Sequence, residues 1–77
     1  MTRPISQIAH DIVRAWGPSK IHFAAKPYLV AMQDLDSING RYFEDSARSI
    51  VLYFLSNAKA FRGDAAKALK AELKSML

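Results

Sequence analysis

Apolar residues recur along the chain at intervals of three and four, the spacing of one face of an α-helix, in four separate stretches. In the first, residues 4–16, Ile5, Ile8, Ala9, Ile12 and Trp16 share a face. Pro4 suits the first turn of that helix, where its missing N–H would have no partner anyway. Gly17 and Pro18 end it: the glycine tolerates a left-handed cap and the proline cannot continue the helix. The second stretch is placed at 27–35, with Pro27 in its first turn and Tyr28, Ala31, Met32 and Leu35 as the buried stripe. Val30 points the other way, beside Gln33 and Asp34. The third runs over 46–60, capped by Asp45 or Ser46, with Ala47, Ile50, Val51, Phe54, Ala58 and Phe61 facing inward. The fourth, 64–76, has Asp64 as its cap and uses Ala66, Leu69, Leu73, Met76 and Leu77.

Between the first two stretches, residues 19–26 are ambiguous. Ser19 can cap a short helix, while Pro27 disfavours helical geometry at Lys26. Asp36-Ser37-Ile38-Asn39-Gly40 is a turn by composition. No strand-like alternation, internal repeat or low-complexity tract appears. The pattern predicts an all-α fold: a compact bundle of about four helices, forming one domain over 1–77.

The third helix carries more apolar surface than its neighbours. Ile50-Val51-Leu52-Tyr53-Phe54-Leu55 is apolar around most of about one and a half turns. A helix covered on one side does not need that; one packed on two sides does. Opposite its main face lie Ser49, Ser56 and Ala60, flanked by Leu52 and Tyr53, and small residues let another backbone approach. Either this helix is central, surrounded by the other three, or the Leu52/Tyr53 side is a homodimer seam or a partner-binding patch.

Composition narrows the chemistry. Of the 77 residues 51% are apolar, enough for a core, and there is no Cys, which excludes disulfides and thiolate–zinc sites and fits a reducing compartment. No secretory signal is visible, and the longest apolar run falls far short of the roughly 20 residues that span a bilayer, so no membrane partner and a cytoplasmic location are expected. His10 and Asp11 are adjacent and diverge by about 100° on a helix, so they do not form a catalytic pair. His22 lies in the ambiguous segment. Two histidines without a third ligand at suitable spacing do not make a zinc site. Asp34, Asp36, Asn39 and Asp45 faintly resemble a calcium loop, but Ile38 and Asn39 stand where a ligand and the turn glycine belong. The three glycines are isolated and form no phosphate-cradling loop. No catalytic residue set, metal or cofactor is expected, and the chain is read as a non-enzyme.

That leaves surfaces. On the first helix Gln7, His10, Asp11 and Arg14 form the polar side. Tyr42 and Phe43, outside the helices, become interaction anchors if exposed, because rigid aromatics dominate binding hot spots. The net charge is +4, from eleven Lys and Arg against seven Asp and Glu. Lys59, Arg62, Lys67, Lys70 and Lys74 gather near the last helix and can be read as a helix-turn-helix surface for DNA, with Gly63 in the turn. Against this, the last helix lacks the Asn, Gln or Arg side chains that read base edges, and its lysines can cover core edges with their stems.

Two stretches resemble a family of short proteins of tailed phages and prophages, mostly of unassigned function. They are Ile5-Ser6-Gln7-Ile8-Ala9 with Pro27-Tyr28-Leu29 and Ala31-Met32, and Asp45-Ser46-Ala47-Arg48-Ser49-Ile50-Val51-Leu52-Tyr53-Phe54-Leu55-Ser56-Asn57-Ala58. Phe61-Arg62-Gly63, Ala66-Lys67 and Lys70-Ala71-Glu72-Leu73 continue the likeness, with Phe61 where the family pattern has Trp. The resemblance implies a phage origin and brings no active site. The expected function is a phage-encoded binding protein that inhibits a host protein complex, such as an anti-CRISPR-type inhibitor of host defence. The alternatives are a nucleic-acid-binding accessory protein using the basic set, and an oligomer that sequesters a small signalling ligand between subunits.

Overall fold

The amphipathic first stretch folds as α1, Ile5–Trp16, and buries Ile5, Ile8, Ala9, Ile12 and Trp16. The structure is a computed structural model that describes residues 3–36, 39–42 and 45–77, with residues 41 and 42 described by their backbone alone. Four helices follow in order among the described residues, with a two-strand ladder before the third: α1, α2 (Lys26–Met32), β1 (Arg41–Tyr42), β2 (Asp45–Ser46), α3 (Ala47–Ser56) and α4 (Asp64–Lys74). The fold is the expected all-α bundle. The antiparallel ladder, pairing Arg41 with Ser46 and Tyr42 with Asp45, was not legible because two residues are too few to show alternation.

α1 packs against both α4 and α2, and α2 packs against α3. The helices with two close helical neighbours are therefore α1 and α2, and α3 is not surrounded by the other three. Pro4 sits at the cap position of α1 rather than in its first turn and has no side chain to cap it. The free N–H groups of Ile5 and Ser6 instead donate to the carbonyls of Asp36 and Leu35, at 3.2 and 2.7 Å, docking the start of α1 on the chain that leaves α2. Gly17 ends α1 at φ +95°, a conformation that favours glycine, and its N–H donates to the Val13 carbonyl.

α2 starts at Lys26 and ends at Met32, three residues before the expected end. A helical turn from His22 already leads into it, with the N–H groups of Ala25 and Lys26 both donating to the His22 carbonyl. Leu29 joins the buried side with Ala31, Met32 and Leu35, while Tyr28 is only partly buried and Val30 faces outward. After Met32 the bonds tighten to three-residue spacing, Asp34 to Ala31 and Leu35 to Met32, which turns Leu35 back to the core.

α3 is capped by Ser46, whose hydroxyl accepts from the Ser49 N–H at 3.2 Å. It ends at Ser56, four residues before the expected boundary. α4 has Gly63 at its cap position, with Asp64 the acidic residue of its first turn; it buries Ala66 and Leu73, and Leu77 lies outside the core. The buried side chains are all apolar among the described residues, centred on Phe54, Ile8, Ile12, Leu29 and Leu73. Trp16 closes one end, stacked on Phe61 at 5.0 Å and edge-on to Phe54 at 6.5 Å.

Candidate functional site

Two regions stand outside this core with side chains the core does not use. The first is the outer face of α3. Ile50, Val51 and Phe54 fill the interior and leave no inward position for the residues between them, so Leu52 is 47% exposed and Tyr53 52%. Tyr53 lies against the half-buried Tyr28 ring of α2, with centroids 5.6 Å apart. Between Leu52 and Tyr53 run two small residues. Ser49 accepts from the Ser46 hydroxyl, and Ser56 donates to the Leu52 carbonyl at 3.1 Å. Beside Leu52, Arg48 reaches the Leu77 carbonyl at 2.8 Å, which ties the start of α3 to the chain after α4.

On α1, Gln7, His10 and Arg14 are exposed. Asp11 is engaged: it forms an ion pair with Arg3, which also makes a two-pronged contact with Glu72 of α4, at 2.7 and 2.9 Å. The Arg3 guanidinium holds both carboxyls below their usual range, and their hydrogen bonds raise its own pKa. Arg3 thereby fastens α1 to α4 from 69 residues away, a link no local pattern announces. Phe43 lies outside the described residues, as does the side chain of Tyr42.

The basic residues do not act as one helix face. Lys70 turns back along α4 and donates to the carbonyls of Ala58 and Phe61, both at 2.7 Å, with its ammonium 5.7 Å from the centre of the Phe61 ring. Burial, with Lys74 and Arg62 adding, pulls its pKa below the ordinary lysine value. Lys70 is thus an anchor for the α3–α4 turn. Lys59, Arg62 and Lys67 remain exposed around that turn, and Lys74 is on the last turn of α4.

The turn brings in residues that the spacing along α4 cannot reveal. One groove, of about 390 Å³, is lined by His22, Ser56, Asn57, Lys59, Ala60 and Arg62. A second, of about 320 Å³, joins Lys20 to Arg62 across Trp16 and Phe61. A third continues from Arg62 along the start of α4 to Lys67 and Lys70. Phe23, 82% exposed, stacks on the His22 ring at 4.7 Å. The backbone N–H of Ala24 donates to His22 Nδ1 and fixes that ring. The signal for Phe23 in the sequence was a large apolar residue in a stretch with no helical face to place it on.

Neither His10 nor His22 forms an ion pair with an acid among the described residues, and no group of three or more His, Cys, Asp or Glu among them could hold a metal ion. No helix among the described residues is long and apolar enough to cross a membrane. The fold defines a small all-α bundle with one exposed apolar helix face and one cationic junction. No family model, curated protein or solved structure matches the chain.

Proposed function

We propose that the chain is a small non-enzymatic binding protein of phage or prophage origin that docks on a host protein complex in the cytoplasm and inhibits it, as an anti-defence inhibitor of the anti-CRISPR type does. The observation that carries the reading is the outer face of α3, where Leu52 and Tyr53 stay about half exposed over a core that is already filled. Exposed apolar surface of this kind is costly in water and is offset when a partner covers it. Tyr53, backed by Tyr28, is a rigid anchor of the type that dominates binding hot spots. The phage origin rests on the resemblance of the 5–9, 27–32 and 45–58 stretches to phage proteins. Gln7, His10 and Arg14 offer a separate polar face for the same partner, with Asp11 reserved for Arg3.

The test is a pull-down from host lysate with wild type beside Leu52→Asp and Tyr53→Ala. A specific partner complex retained by wild type and lost by both variants supports the reading; no specific partner overturns it. The same face could instead be a seam between two copies, the arrangement that sequestering a ligand between subunits requires. Light scattering decides this, since a species of twice 8.6 kDa that Leu52→Asp returns to monomer assigns the face to self-association.

A further inference from the structure

We propose that the α3–α4 junction is a binding site for single-stranded nucleic acid, in which Lys20, Lys59, Arg62 and Lys67 take successive phosphates and the Phe23–His22 ring pair stacks a base. The cations converge from three segments: the turn after α1, the turn after α3 and the first turns of α4. Arg62 lines all three adjoining grooves, and its Nε is fixed by the Lys59 carbonyl at 3.3 Å, which leaves the outer guanidinium nitrogens for an oxygen ligand. Among the described residues none of the four cations is in an ion pair, and Asp64 is the one acid lining these grooves. An unpaired cluster of like charge attracts a polyanion.

Charge alone would fit any polyanion; the rings make the ligand specific. A phenylalanine 82% exposed gains nothing for the core. It is nevertheless held in place, because its ring lies at 26° to the His22 ring and that ring is pinned by the Ala24 N–H. A pre-placed ring beside a cationic groove is the arrangement that receives unpaired bases and their backbone together. A duplex fits poorly, because Lys70 is withdrawn into the turn and the exposed face of α4, with Ala68 and Ala71 between Lys67 and Lys74, carries no side chain that reads base edges.

The experiment measures binding of a fluorescein-labelled ten-residue oligo-dT by anisotropy over a series of salt concentrations. Engagement of four phosphates gives a slope of log K against log salt of about −3. Arg62→Ala should weaken binding about tenfold or more and make the slope shallower. Phe23→Ala should weaken it by roughly five- to a hundredfold at unchanged slope, because stacking carries no counterion release. Circular dichroism confirms that each variant is folded. Tyr53→Ala, which changes the α3 face without adding charge, should leave oligonucleotide binding intact, so this site and the α3 face succeed or fail separately. No binding at 50 mM salt overturns the proposal. So does equal affinity for polyphosphate or duplex DNA together with an unchanged Phe23→Ala, which would reduce the junction to general attraction for polyanions.

Discussion

Replacing Lys70 by methionine removes the charge and both hydrogen bonds while keeping a flexible stem of nearly equal length. The ammonium donates to two carbonyls of the α3–α4 turn at 2.7 Å each. A hydrogen bond to a charged group contributes about 1.5–3 kcal/mol net, and the contact with the Phe61 ring adds roughly 0.5–1 kcal/mol. The lower ends for the two bonds and the ring contact come to about 3.5 kcal/mol, and because Lys70 is only part-buried, water replaces some of that. The expected loss is about 2–3 kcal/mol. A chain of 77 residues has roughly 4–12 kcal/mol of stability in total, so the variant forfeits a large share of it. At about 4–8 °C per kcal/mol for a domain of this size, Tm should drop by roughly 10–20 °C. Urea unfolding followed by tryptophan fluorescence is the natural assay. The single Trp, Trp16, stacks directly on Phe61 and reports on the turn that Lys70 holds. Lys67→Met, at an exposed position on the same helix, is the control and should stay within about 0.5 kcal/mol of wild type. If Lys70→Met and Lys67→Met have the same midpoint, Lys70 is not an anchor and the reasoning fails.

Phe54→Ala empties the centre of the core, where Phe54 is fully buried; a loss of about 3–5 kcal/mol is expected, and a two-state melt within 1 kcal/mol of wild type would contradict the packing described. Ser46→Ala removes the hydroxyl that caps α3 and should cost about 1 kcal/mol in urea melts, with Ser46→Thr recovering most of it. The Arg3 ion pairs predict a pH dependence. Asp11 and Glu72 are held below their ordinary pKa values by Arg3, so their contribution is complete above the unfolded carboxyl value of about 4 and is lost as pH falls through the lower folded values. Urea midpoints of wild type should therefore fall between about pH 5 and pH 2 more steeply than those of Arg3→Met, and parallel curves would show that the ion pairs carry no such linkage.

The helices were legible because their buried faces obey one period. All five positions assigned to the α1 stripe are buried, and Val30 faces outward as its spacing requires. Ends were less legible, for a physical reason. Phe54, Ala58 and Phe61 continue at intervals of four and three, so the pattern reads as helix to residue 60, yet the last two are buried by chain that has left the helix. Leu29 was missed because α2 has just seven residues, too few for its period to separate a buried leucine from an exposed valine next to it. Of the surface, the exposure of Leu52 and Tyr53 followed from an excess of apolar residues on one helix. The Arg3 contacts, and the meeting of Lys20, His22 and Phe23 with Arg62, join distant parts of the chain and have no local signature.

The early end of α3 is also what assembles the cationic junction. Had the helix run on to residue 60, Lys59 would have stood on a continuous helical surface, close to the rest of α3 and away from the turn after α1. Three contacts end it sooner. The Asn57 side chain donates to the Tyr53 carbonyl, closing the last turn. Phe61 folds back to stack on Trp16, and Lys70 fixes the carbonyls on either side of the bend. The bend directs Arg62 toward the segment after α1, where Lys20 and His22 lie, and carries Ser56 of the outer α3 face into the same groove as His22. The two exposed regions therefore adjoin at Ser56, and both depend on the same few bonds that stop one helix. A cation that looked in the sequence like a ligand for nucleic acid, Lys70, instead positions the neighbours that are free to take that role.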